Sequence, residues 1–221
     1  MRGGPCASLR PPTTMRGDMD DRRSVPGPST DRNQRRRLAA LAGHAGEVAT
    51  ALEMTVDDAP EVRATALAAL HRAGALDAAT LRLSLVDPAP LVRRRAAQLA
   101  AHHVEVDLVA ALQDPEDDVV EVAAWACGER PAGPGVVDAL AALTARHGDP
   151  LCREAAVAAL GALGEPAGLG AILAALGDKP AVRRRAVLAL APFEGPEVDD
   201  ALRAMLEDRD WQVRQAAEDL L

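Results

Sequence analysis

Residues 178–190 read DKPAVRRRAVLAL. An acidic residue and a proline in a turn are followed by a valine, an arginine and an alanine-rich run. The same phrase returns along the chain. Its marker pair falls at Val62-Arg63, Val92-Arg93, Val120-Glu121, Cys152-Arg153, Val182-Arg183 and Val213-Arg214, with steps of 30, 28, 32, 30 and 31 residues between second members. A period near 30 held over six occurrences marks a repeat protein, in which each unit is one supersecondary element stacked on the next.

Each unit reads as two helices. The second begins at the marker pair and keeps apolar or small residues at offsets 0, 4 and 7 or 8. These are Val62, Ala66, Ala69 and Leu70 in the first unit, and Val182, Ala186, Ala189 and Leu190 in the fifth. That spacing covers one face of a helix with 3.6 residues per turn. First helices are predicted within 81–86, 106–112, 136–143, 169–176 and 198–206. Asp87-Pro88, Asp114-Pro115 and Asp149-Pro150 place a capping carboxylate before a proline that a first helical turn tolerates. Gly128, Gly161 and Gly164 stand where second helices are expected to stop. Residues 31–43 read as one further helix that caps the N-terminal end.

The composition agrees with an all-α chain. Hydrophobic residues make up 48 % of it, yet there is no Tyr, one Phe (Phe193) and two Trp (Trp125 and Trp211). Packing falls to Ala, Leu and Val; Ala and Leu favour helices, and strand-favouring aromatics are scarce. The net charge is −8, with +5 on residues 1–37 and −13 on residues 38–221, so the repeat region repels phosphate backbones overall. No stretch reaches the roughly 18 apolar residues of a membrane span. Residues 1–30 are rich in Pro, Gly, Arg and Thr and lack the apolar core of a secretory signal, which predicts a disordered tail. Met15 and Met19 offer alternative translation starts. Abundant Ala, Arg and Pro beside a single Lys (Lys179) fit a GC-rich bacterial genome.

The Asp-Pro turns, the Val-Arg pairs and the Ala and Leu positions after them make residues 44–221 resemble the HEAT-repeat family. That resemblance implies a right-handed α-solenoid, an α-α superhelix of about six HEAT-like helix pairs. It also implies that second helices line the concave face and that Asp and Arg form a ladder between repeats. Arg63, Arg93, Arg153, Arg183 and Arg214 would be its rungs, with the ladder broken or rearranged at Glu121. Glu218 stands where the other repeats carry Leu67, Ala97, Trp125, Val157 and Val187. A polar residue there suits a terminal repeat with an open face, so the solenoid is expected to be complete at Leu221.

Little in the chain points to catalysis. No Gly-rich phosphate loop follows a strand, and serine is rare in the repeats. The histidines (His44, His71, His102, His103, His147) form no HExxH motif. None precedes a glutamate, so the His-Glu pairs of the HEAT-repeat deoxyhypusine hydroxylases are absent. His102-His103 with Glu105 is a weak metal candidate, because adjacent helical residues point apart. Cys6, Cys127 and Cys152 fall at no metal-like spacing. Neither Cys127 nor Cys152 has a histidine beside it, and both read as small apolar residues in a reducing cytoplasm. The expectation is no catalytic residue, no cofactor and no metal.

Arg94-Arg95 and Arg184-Arg185 could contact phosphate, as in the HEAT-like alkylpurine DNA glycosylases. The stripe is interrupted by Val122-Ala123 and Glu154-Ala155, and base-stacking aromatics are few. The offset-2 and offset-6 positions are more informative: Ala64 and Ala68, Arg94 and Gln98, Val122 and Ala126, Glu154 and Ala158, Arg184 and Leu188. They are mostly small or apolar where a solvated face would carry Glu and Lys, and Trp125 adjoins the row. Two readings of Trp125 stay open, a core filler and part of a groove. In the second, Val122, Trp125, Ala126 and Leu188 supply an apolar centre, while Arg94, Glu154 and Arg184 set orientation for a partner helix or peptide. The function expected is a non-catalytic protein-binding scaffold in the cytoplasm. The alternatives are nucleic-acid binding through the Arg clusters and a HEAT-type enzyme or lyase-like accessory protein.

Overall fold

The computed structural model describes residues 31–221, and the tail expected over residues 1–30 lies outside them. Twelve α-helices and three short 3-10 turns make up the described residues, without a strand. After α1 (Arg32–Ala45) the chain runs in pairs. The first helices are α2 (Val48–Glu53), α4 (Ala78–Ser84), α7 (Val136–Arg146), α9 (Leu169–Ala175) and α11 (Pro196–Met205). The second helices are α3 (Pro60–Arg72), α5 (Pro90–Ala100), α6 (Asp117–Gly128), α8 (Pro150–Leu163), α10 (Pro180–Ala189) and α12 (Trp211–Glu218). Proline opens α3, α5, α8 and α10, where its missing N–H has no partner to lose. The second helices pack in succession, α1 on α3, then α5, α6, α8, α10 and α12. The chain is thus an α-solenoid.

One continuous core runs from Ala42 to Ala217 between the helix layers. Leu67, Leu70, Leu81, Leu108, Leu140, Leu160, Ile172 and Leu190 are its largest fully buried side chains. Burying one such leucine contributes about 2 kcal/mol. Elsewhere alanine does the filling, which lets second helices come close. Gly161 lies inside α8 rather than at its end; a Cβ there would meet the Ala189 Cβ at 2.6 Å. Gly128 makes the equivalent approach to Ala159 from the last position of α6. Of the three glycines expected to stop helices, Gly164 takes the left-handed C-cap of α8 (φ 63°).

The helix expected over 106–112 is not formed. That segment is a series of turns ending in a single 3-10 turn, Ala111–Gln113. This repeat is the shortest, with 27 residues from Val92 to Val119 against 30 to 33 between the other markers in the same register. Asp107 accepts the Val109 N–H instead (2.9 Å). The buried Arg130 side chain closes the end of α5 by donating to the carbonyls of Ala100 (3.1 Å) and His103 (2.7 Å). No helix of the described residues is long and apolar enough to cross a membrane.

Candidate functional site

The turns before the second helices set the register of everything beyond them. Asp57, Asp87, Asp114 and Asp208 each accept the backbone N–H two residues on, from Ala59, Ala89, Glu116 and Asp210 (2.7–3.0 Å). Asp87 and Asp114 therefore tighten the turn rather than cap the helix, whereas Asp149 is a true N-cap, bonded to the Leu151 N–H (2.8 Å). These aspartates, and Asp178 in the turn before α10, receive an arginine from the preceding repeat. Arg63 donates to Asp87, Arg93 to Asp114, Arg153 to Asp178 and Arg183 to Asp208, each through two bonds of 2.6–2.8 Å. Arg35 of α1 treats Asp57 in the same way. The second terminal nitrogen of the guanidinium bonds carbonyls of the turn in its own repeat, from Arg63 to the Asp57 oxygen and from Arg214 to the Asp208 oxygen.

These bonds shift the third repeat by one residue. Val62 and Val92 donate their N–H groups to the carbonyls of Ala59 and Ala89, and Val119 does so to Glu116. Val119, not Val120, is the counterpart of Val62. Val120 then occupies the ladder position, and Glu121 falls in the row of Arg94, Glu154 and Arg184, in which Glu154 is half-buried and Ala64, at the N-terminal end, is buried. Trp125 joins Ala68, Gln98, Ala158 and Leu188 in the row one turn further on. It is 43 % exposed, so it is not a core filler. Ala126, expected at the surface, is fully buried and out of a partner's reach. The displacement is the physical reason: Ala126 takes the offset that Ala69 and Ala159 fill in the core.

A groove of about 600 Å³ opens between α6 and α8 on this exposed face. Val122, Trp125, Leu151, Ala155 and Ala158 give it apolar walls, and Glu121, Glu129 and Glu154 border it. Arg185 reaches back from α10 to the Glu154 carboxylate (3.2 and 3.4 Å). A second depression of about 250 Å³ adjoins it, lined by Glu154, Arg184, Leu188 and Gln212 among others. The HEAT repeats family matches residues 105–180, and the PBS lyase HEAT-like repeat family matches residues 182–208. The chain is a HEAT-repeat protein.

Solved structures share the fold. An engineered protein overlaps 78 % of this HEAT-repeat chain and 94 % of its own at 19 % identity (TM-score 0.57). YibA of Escherichia coli overlaps 87 % and 75 % at 19 % identity (TM-score 0.55). A second engineered protein overlaps 86 % and 64 % at 21 % identity (TM-score 0.58). No curated protein matches the sequence.

Within the HEAT-repeat frame, the residues singled out from the sequence divide cleanly. Val122, Trp125 and Glu154 meet in the larger groove, and Glu154, Arg184 and Leu188 in the smaller depression. Arg94 is exposed on α5 outside both, and Arg95 bonds Gln98 (2.9 Å). Sequence reading missed Leu151, Glu129 and Glu121 as groove residues. Leu151 repeats Leu91, a large apolar residue just before the marker valine, and both are exposed. That recurrence was the available signal.

The ladder lapses once among the described residues, between the third and fourth repeats. There Val120 replaces the arginine, fully buried, and His147 replaces the aspartate. His147 keeps the turn bond, since its Nδ1 accepts the Asp149 N–H (3.2 Å). Its Nε2 lies 3.7 Å from Asp117 Oδ1. Cys152, in the position of the marker valine, directs its Sγ to the Asp117 carbonyl (3.4 Å). Burial pushes this thiol up to about 12, helped by the carboxylates of Asp149, Asp117 and Glu121; burial likewise lifts Cys127 to about 11. Neither is an activated nucleophile. His71 and His102 stack with ring centroids 5.0 Å apart, and burial followed by the His102 charge lowers the pKa of His71. His103 faces Glu105 at 3.3 Å.

Proposed function

We propose that the protein is a non-catalytic interaction scaffold that binds a segment of a partner protein along its second-helix face. The observation that carries this reading is the groove at Trp125. An exposed indole beside Val122 and Leu151, walled by alanines, suits one large apolar side chain from a helix or extended peptide. The rim favours a basic partner. Glu121 and Glu129 face the groove without an arginine bonded to them, and only Glu154 is held, by Arg185. An apolar anchor flanked by Lys or Arg is therefore the chemistry that fits.

The acidic rim also speaks against nucleic acid, because Glu121 and Glu154 stand between the Arg94-Arg95 and Arg184-Arg185 clusters. Two free, buried cysteines suit the reducing cytoplasm as its setting.

Peptide display against the full chain tests the reading. Selected peptides should carry an aromatic or aliphatic residue next to Lys or Arg, and Trp125→Ala should weaken their binding at least tenfold. Glu121→Gln with Glu129→Gln should weaken it less and reduce its salt dependence. Peptides that bind Trp125→Ala as tightly as the parent would sink the groove as the site.

A further inference from the structure

The repeats provide their own internal standard, and four departures from it converge on one point. The helix-opening proline of α3, α5, α8 and α10 is Asp117 in α6. The ladder arginine is Val120, the ladder aspartate is His147 and the marker valine is Cys152. Three of these four substitutions introduce metal-binding side chains. The ligand atoms of Asp117, His147 and Cys152 all lie within 4.8 Å of one another. Independent drift has no reason to place a carboxylate, an imidazole and a thiol together at the single junction where the Arg–Asp pair is missing.

We propose that Asp117, His147 and Cys152 form a site for a divalent transition metal, zinc by the chemistry of the donors. Sulfur, nitrogen and a carboxylate oxygen are the set that zinc takes in three-ligand sites, with water in the fourth position. Asp117 opens α6, while His147 and Cys152 flank the start of α8, so a bound cation joins the third repeat to the fourth. It thereby replaces the missing rung as the cross-link. Cys152 Sγ already faces Asp117 at its backbone carbonyl, and His147 Nε2 faces the Asp117 carboxylate. The Asp117 side chain is mostly exposed, which leaves it free to close on the ion. Coordination releases the thiol proton to solvent. It also moves the imidazole proton from Nε2 to Nδ1; the 3.2 Å bond from the Asp149 N–H is then lost, and the ring turns away from that amide as Nε2 takes the metal.

Titration of the full, reduced chain with Co²⁺ alone tests this. The parent should develop a thiolate-to-cobalt charge-transfer band that saturates at one equivalent and is removed by equimolar Zn²⁺. Cys152→Val installs the residue that other repeats carry; it should abolish the band while the metal-free melting temperature stays close to the parent's. His147→Asn keeps an acceptor for the Asp149 N–H and should weaken binding at least tenfold. Zinc should raise the melting temperature of the parent, raise that of His147→Asn less, and leave that of Cys152→Val unchanged. Absence of a band in the parent overturns the site. So does a band that survives both substitutions, which would place the metal on Cys6 or Cys127. Should Cys152→Val fail to fold, the His147→Asn titration decides the matter alone.

Discussion

Arg183 holds Asp208 through two parallel bonds of 2.8 and 2.7 Å, and neither side chain is more than 8 % exposed. The pair joins α10 to the turn before α12, and its geometry is the fork-to-carboxylate match that makes arginine unlike lysine. Removing one partner leaves a buried charge unpaired. Arg183→Ala is expected to cost about 3–5 kcal/mol, and Arg183→Lys most of that, because one ammonium cannot make both bonds. The exposed pair Arg32–Glu61 serves as the control: Arg32→Ala should cost at most about 1 kcal/mol. Chemical denaturation of the three variants measures the contrast.

The ladder also sets the acid limit of the fold. Hydrogen bonds from Arg153 and Arg183 hold Asp178 and Asp208 below the ordinary value of 3.8. Burial opposes ionisation of Asp87 and Asp114, but the bonds from Arg63 and Arg93 and the turn N–H groups outweigh it, and both are also lowered. A depressed native pKa means that the unfolded chain binds more protons in this range, so stability falls as pH falls. The contribution is complete above 3.8 and disappears as pH drops through the lowered native values. Urea midpoints taken between pH 6 and pH 2.5 should stay level and then fall steeply below about pH 4. In Asp178→Asn the fall should be shallower, from a lower plateau.

Close helix approach predicts opposite signs for two glycines. A Cβ at Gly161 would lie 2.6 Å from the Ala189 Cβ and 2.7 Å from its Cα, so α8 and α10 must part to admit it. Gly161→Ala should cost about 1–3 kcal/mol. Gly170 lies within α9 with nothing inside 4 Å of its would-be Cβ. Gly170→Ala should stabilise by about 0.5–1 kcal/mol through helix propensity. Thermal melts of the two variants distinguish packing from propensity.

The period and the paired helices were legible in the sequence, because Arg63, Arg93, Arg153 and Arg183 recur with a valine or cysteine before them, and the ladder was what the family resemblance carried by those residues implied. The register of the third repeat was not. Without an arginine to mark the ladder, Val119, Val120 and Val122 are equally good apolar markers, and backbone hydrogen bonds were needed to choose Val119. That one-residue slip moved Trp125 into the exposed row and Ala126 into the core. Apolar spacing over 106–112 likewise could not reveal that the segment folds as turns, with Asp107 accepting the Val109 N–H and Arg130 closing the end of α5. His147 lies five residues before Cys152, as Asp87 lies five before Val92. The count was available, but a histidine in an aspartate's place carries no family signal.

The corrected register is itself testable by rebuilding the rung. Val120→Arg alone buries a guanidinium opposite a histidine, and His147→Asp alone places an unpaired carboxylate at the junction, so each should destabilise by about 2–4 kcal/mol. Made together, they recreate the arrangement of Arg93 and Asp114, in which two bonds of 2.7 and 2.8 Å satisfy both charges. The double variant should recover a coupling of at least about 1.5 kcal/mol in a double-mutant cycle. The same cycle with Glu121→Arg in place of Val120→Arg should show almost none, because position 121 faces the groove rather than the turn. Coupling at 121 and not at 120 would return the marker pair to Val120-Glu121 and take Trp125 out of the exposed row.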